Sequence, residues 1–130
     1  MTALKSKDRK FSLAKRIQSF RYAVAGLPIL LKSEHNAWIH SIAAIIAIGG
    51  GFFFNINRTE WMIIVLCIAA VFVTELVNSA IERLADLISE EYSEKIRDIK
   101  DMAAAAVLLA AIASFICGVV IFFPYLIEIL

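Results

Sequence analysis

The chain has 130 residues, of which 61% are hydrophobic and 19% charged, whereas soluble domains carry about 45–50% apolar and roughly 25% charged residues. This length allows one domain, and the clustering of the apolar residues excludes both a water-soluble globule and a disordered chain. The formal net charge is only +1, but Met1 to Asn36 holds eight basic residues against Asp8 and Glu34, a net of +6, which leaves −5 on Ala37 to Leu130.

The basic arm, residues 1–36, reads as a cytoplasmic and interfacial segment attached to membrane spans. A secretory signal peptide fits poorly, because more than thirty polar and mixed residues precede the first long apolar run. A nucleic-acid-binding arm would interleave aromatics with a basic groove, and this one does not, so no nucleic-acid partner is expected. From Phe11 to Leu31 basic and apolar residues alternate in a loosely amphipathic way. That pattern predicts a helix lying in the membrane interface, with Pro28 kinking or resetting it.

Three spans follow, predicted at 37–56, 61–88 and 102–126. The first contains no formal charge, only His40, and is long enough to cross about 30 Å of hydrocarbon. The second starts at Trp61 and runs into a charged half, while the third is again uncharged. Trp38, Trp61 and Tyr125 fall near span ends, where amphipathic rings settle at the interface. The short connection Asn55–Glu60 makes spans one and two antiparallel neighbours, and Ser89–Asp101 forms a strongly polar second connection. Lys and Arg number eight in the N-terminal arm, three in the second connection and one in the first. The arm and second connection are therefore expected in the cytoplasm and the C-terminus outside. The fold class is all-α: three transmembrane helices preceded by an amphipathic interfacial helix, forming a single domain.

The chemistry concentrates in Thr74–Asp86. At about 100° per residue, with Glu75 at zero, Asn78 falls near −60°, Ser79 near +40°, Glu82 near −20° and Asp86 near +20°. These five form one polar stripe. Glu75 follows fourteen residues of apolar span, and an ionised Asp at mid-bilayer costs about 2.5–3.5 kcal/mol even on the lenient scale. Such a group must face a protein interior or a wet cavity. The stripe can glue helices together, as Ser and Asn often do. Alternatively, its oxygens can share magnesium with phosphate groups, and its buried carboxylate can act as a general base.

Glu34 is the only carboxylate between Asp8 and Glu60; it is either a solvated interfacial charge or part of the site. Asp101 can cap the third span, and Lys100 can meet polyphosphate as a point charge. Ala103–Ala106 and Gly49–Gly51 favour close helix packing. Soluble kinase signatures are missing: there is no GxxxxGK[ST] loop, H-R-D or D-F-G element. His35 and His40 make no metal constellation, and Cys67 and Cys117, set in apolar runs, offer neither a disulfide framework nor a zinc site.

The run Glu75-x-x-Asn-Ser-Ala-Ile-Glu82-x-x-x-Asp86, followed by Lys100-Asp101-Met-Ala-Ala-Ala-Ala-Val, closely resembles the prokaryotic diacylglycerol kinase family, small three-span membrane enzymes unrelated to soluble kinases. The resemblance covers about Phe20 to Pro124. It implies ATP-dependent phosphorylation of a lipid hydroxyl with magnesium in the bacterial cytoplasmic membrane. Residue by residue, it implies Glu75 as catalytic base, Asn78 as an active-site residue near phosphates and substrate, and Glu34 and Glu82 as metal ligands. Lys100 and Asp101 match the nucleotide-binding end, with Glu82, Glu34 and Arg21 counted among the cofactor contacts. It also implies a homotrimer whose active sites are shared between subunits. The segments Ser33–His40 and Thr59–Ile64 look more like the Gram-positive branch, which phosphorylates undecaprenol in place of diacylglycerol; enterobacterial-type members tend to carry a carboxylate where His40 stands. Two other classes compete: a small transporter or proton-relay subunit using Glu75 and Glu82, and a structural protein whose stripe holds an oligomer. A transporter needs polar groups through both leaflets, and the outer half of each span has almost none.

Overall fold

The computed structural model describes residues 11–130; Lys5, Lys7, Arg9 and Lys10 of the basic arm lie outside the described residues. Four helices follow in order: α1 (Leu13–Ser33), α2 (His35–Phe53), α3 (Arg58–Ile88) and α4 (Glu94–Ile129). α2, α3 and α4 are the three helices long and apolar enough to cross a membrane, with α1 preceding them. At 1.5 Å per residue, the 36 residues of α4 extend about 54 Å, so this helix crosses the hydrocarbon and projects beyond it.

The α2–α3 turn is built by two successive caps. Asn55 takes φ 51°, its N–H donates to Phe52 O, and Ile56 N–H donates to Gly51 O at 3.1 Å. This is a Schellman ending, in which the residue after the left-handed position folds back against the helix. It explains why α2 stops at Phe53 when the apolar run continues to Ile56: Ile56 leaves the helix and enters the core. Asn57 and Glu60 then form a reciprocal capping box that starts α3. Gly51 lets the indole of Trp61 close onto α2, while Gly50 faces Phe122 of α4. Around them Ile56, Ile64 and Ile121 form the buried cluster that ties the spans together at this end. Glu60 closes it from the side by accepting 2.8 Å hydrogen bonds from Asn57 N–H and the Tyr125 hydroxyl.

α3 and α4 pack along their lengths, and the buried face of α4 runs through Ala103, Val107 and Ile121, with half-buried Ser114 between them. Ser114 Oγ donates to Cys67 O across that interface, and Cys67 and Cys117 are both free thiols. The other faces expose large apolar residues such as Ile45, Leu66, Leu109 and Phe115, which suits contact with lipid tails.

Three boundary expectations change. The polar stretch after α3 is a loop only over 89–93; Glu94–Asp101 is already helix, so Ser93 is the N-cap of α4 and Asp101 is not a cap. The apolar faces Ile96, Ile99 and Ala103 carry the helical spacing through that charged segment. α1 runs as one helix from Leu13 to Ser33 with Pro28 inside it. Pro28 removes the one hydrogen bond its N–H would donate, and the helix continues beyond it for a further turn. α1 is largely exposed, Leu30 being its buried residue, as an interfacial helix requires.

Candidate functional site

Glu34 is the single residue between α1 and α2. It ends one helix, its N–H donating to Leu30 O at 3.0 Å, and begins the next in extended conformation without using its side chain as a cap. The Trp38 Nε1–H clamps this corner by donating to Leu31 O at 2.8 Å. Glu34 is half-buried, so it is not the freely solvated charge that the sequence left open.

On α3 the stripe faces inward. Glu75 is 1% exposed, Asn78 8% and Ser79 6%, and Glu82 is half-buried one turn further on. Asn78 Nδ2 donates to Glu82 Oε1 at 3.2 Å. Among the described residues, three buried atoms have no hydrogen-bond partner: Glu75 Oε1, Asn78 Oδ1 and Ser79 Oγ. Leaving such a group unpartnered costs about 1–3 kcal/mol, so this stripe is arranged to meet something other than helix backbone. At the far end of the stripe Lys100 Nζ donates to Asp86 Oδ1.

The residues proposed from sequence therefore divide. Glu75, Asn78 and Glu82 form a polar track on α3, which Lys100 joins at its C-terminal end through Asp86, while Glu34 sits at the α1–α2 corner. Arg21 and Asp101 are exposed and form no hydrogen bond or ion pair with that track; Asp101 is turned about 100° around α4 from Lys100. The structure adds His40, whose Nε2 lies 3.1 Å from Glu75 Oε1. That separation is a hydrogen-bond length, and Oε1 has no hydrogen bond from any other described residue. The available signal for His40 was its position as the one titratable residue between Ala37 and Ile56.

Below Glu75 the three spans enclose an apolar cleft of about 700 Å³, lined by all three of α2, α3 and α4. It runs from His40 toward Phe54 and Leu126, and its only side-chain oxygen or nitrogen apart from His40 belongs to Ser114. The cleft thus reaches His40, which stands 3.1 Å from Glu75 of the polar track.

Among the described residues no three His, Cys, Asp or Glu side chains converge to hold a metal by themselves. Magnesium asks for less: one or two carboxylates, with phosphate oxygens and water completing the shell. Glu82, with the unpartnered oxygen of Asn78 beside it, offers one such carboxylate.

The model of the prokaryotic diacylglycerol kinase family matches residues 21–122. The undecaprenol kinase of Bacillus subtilis is 38% identical over 121 residues, covering 93% of this chain and 98% of that protein. A Synechocystis diacylglycerol kinase is 34% identical, covering 86% of this chain and 65% of its own length. The diacylglycerol kinase of Haemophilus influenzae is 31% identical, covering 82% and 92% respectively. With three membrane-crossing helices and a match over most of its length, this chain belongs to the prokaryotic diacylglycerol kinase family and is a multi-pass membrane lipid kinase.

Proposed function

We propose that this protein transfers the γ-phosphoryl group of ATP to the hydroxyl of a membrane lipid alcohol, with undecaprenol preferred over diacylglycerol and Glu75 as general base. The observation that carries the reading is the place of Glu75: a fully buried carboxylate on a polar track, 3.1 Å from the His40 that an apolar cleft reaches. A lipid hydroxyl reaches it from the bilayer side and a phosphate from the water side. The preference for undecaprenol rests on the similarity to the Bacillus enzyme over nearly the full length of both chains.

In the reaction Glu75 accepts the proton of the lipid hydroxyl as its oxygen bonds to the γ-phosphorus. The bond from that phosphorus to the bridging oxygen breaks, and ADP leaves with the bonding pair. Phosphoryl transfer needs little covalent help from a protein; positioning and charge stabilisation supply most of the rate. Glu34 and Glu82 would hold magnesium, which neutralises phosphate charge when bound. Lys100, hydrogen-bonded to Asp86, would meet a phosphate oxygen of the nucleotide as a point charge. Asn78 orients the reacting groups, and Arg21 and Asp101 contact the nucleotide from the water-exposed side. The exposure of these last two supports a homotrimer in which a neighbouring chain helps close each site. The protein would lie in the bacterial cytoplasmic membrane as one kinase domain, with its N-terminus and α3–α4 turn inside and its C-terminus outside. A transporter or proton relay has less support, since the cleft beyond His40 carries almost no polar side chain.

The test is purified protein in lipid with labelled ATP, magnesium, undecaprenol and diacylglycerol. Labelled undecaprenyl phosphate, formed with a higher kcat/KM than phosphatidate, is expected. Absence of transfer to any lipid alcohol would overturn the reading.

A further inference from the structure

His40 has no role in the mechanism described above, yet it approaches Glu75 from the neighbouring helix. Its Nε2 stands 3.1 Å from Glu75 Oε1, joining α2 to α3. That oxygen is buried and has no hydrogen bond from any other described residue, and an ionised carboxylate can only accept. Asn78 Nδ2 serves Glu82, and Thr74 Oγ1 serves the carbonyls of Ala70 and Val71. The Ser79 hydroxyl, one turn beyond Glu75, is uncommitted but makes no hydrogen bond to it. The imidazole is thus the donor that stands at hydrogen-bond distance from Oε1. It is also the polar side chain at the head of the apolar cleft, so a hydroxyl carried on a chain seated there meets His40 and Glu75 together.

We infer that His40 is a positioning residue: it holds the Glu75 carboxylate through Oε1, so that Oε2 faces the incoming lipid hydroxyl. This rests on the lipid kinase reading and deepens it. His40 takes no proton from the substrate and contacts no phosphate. Its effect is to fix the rotamer of the base and to mark where the cleft ends and the reacting centre begins. A carboxylate left to swing loses alignment, and a misplacement of about 1 Å costs on the order of 10²-fold in rate.

Two measurements test this, and they fail separately. The first reads the contact without activity: in ring-¹⁵N-histidine-labelled protein, Glu75→Gln should move the His40 imidazole signals and leave those of His35 in place. Unmoved His40 signals would overturn the pairing. The second is steady-state phosphorylation of undecaprenol. His40→Ala should lower kcat by about 10²-fold with KM for ATP changed less than about twofold, while His40→Gln, whose carboxamide N–H can reach the same oxygen, should recover most of the loss. Added imidazole should partly restore His40→Ala. A wild-type kcat in His40→Ala would overturn the positioning role. So would an equal loss in His40→Ala and His40→Gln with no response to imidazole, because that marks a packing role only. A wild-type protein inert towards every lipid alcohol would instead overturn the kinase reading, with the spectroscopic result still deciding the pairing.

Discussion

Gly51→Ala gives the sharpest test of how the spans are joined. A Cβ built on Gly51 would lie 2.7 Å from Trp61 Cη2, 2.8 Å from Cζ2 and 3.1 Å from Ile56 Cδ1. Carbon atoms rest about 3.5–4.0 Å apart, so the indole must retreat by roughly 1 Å. It has little room: its ring packs on Phe52 with centroids 4.9 Å apart, and Trp61 sits in the first turn of α3, held by the capping box. Overpacking of this kind costs about 1–3 kcal/mol, while replacing a helical glycine by alanine returns about 0.5–1 kcal/mol. The balance is a net loss of about 1 kcal/mol, within a range of about 0–2.5 kcal/mol. Gly49 is the control, since a Cβ there meets nothing within 4 Å, so Gly49→Ala should be neutral or slightly stabilising. The assay is thermal inactivation of the two variants and wild type in the same detergent, with rates compared at one temperature. Gly51→Ala should inactivate several times faster than wild type and Gly49→Ala no faster. Equal behaviour of the two variants would refute the close approach of Trp61 to α2.

Two further predictions concern the polar track. Glu82→Gln should raise the magnesium concentration needed for half-maximal activity by about tenfold or more, since it removes one of the carboxylates that suit the ion; an unchanged magnesium titration would count against its metal role. Lys100→Met should raise the KM for ATP by about 10- to 100-fold, as loss of one charged hydrogen bond of about 1.5–3 kcal/mol implies. The KM for the lipid should stay within about twofold, so a parallel rise in both would place Lys100 outside the nucleotide end.

The spans were legible because each is a long apolar run, and the stripe because 100° per residue places Glu75, Asn78, Ser79 and Glu82 on one face. The boundaries were less so. The charged segment after α3 hid eight residues of helix, since its polarity reads as loop while Ile96 and Ile99 keep helical spacing. Ile56 read as span because hydropathy does not register that a left-handed Asn55 ends the helix and turns the next side chain inward. Glu34 was visible as an isolated carboxylate, but its freedom from capping is a matter of backbone geometry. His40 was visible and passed over, because a lone histidine has no meaning until a second helix brings a carboxylate to it. The joining of Lys100 to Asp86 across fourteen residues likewise depends on how α3 and α4 pack.

The central claim is that a buried carboxylate at the head of the cleft removes the substrate proton, and Glu75→Gln tests it most directly. The substitution keeps the size of the side chain and removes its basicity. Turnover of undecaprenol with labelled ATP should fall by at least the 10²–10⁴-fold typical of a lost general base, while ATP binding, measured by equilibrium titration on the same preparation, should stay within about twofold of wild type. Glu75→Gln protein that phosphorylates undecaprenol at the wild-type rate would contradict the account.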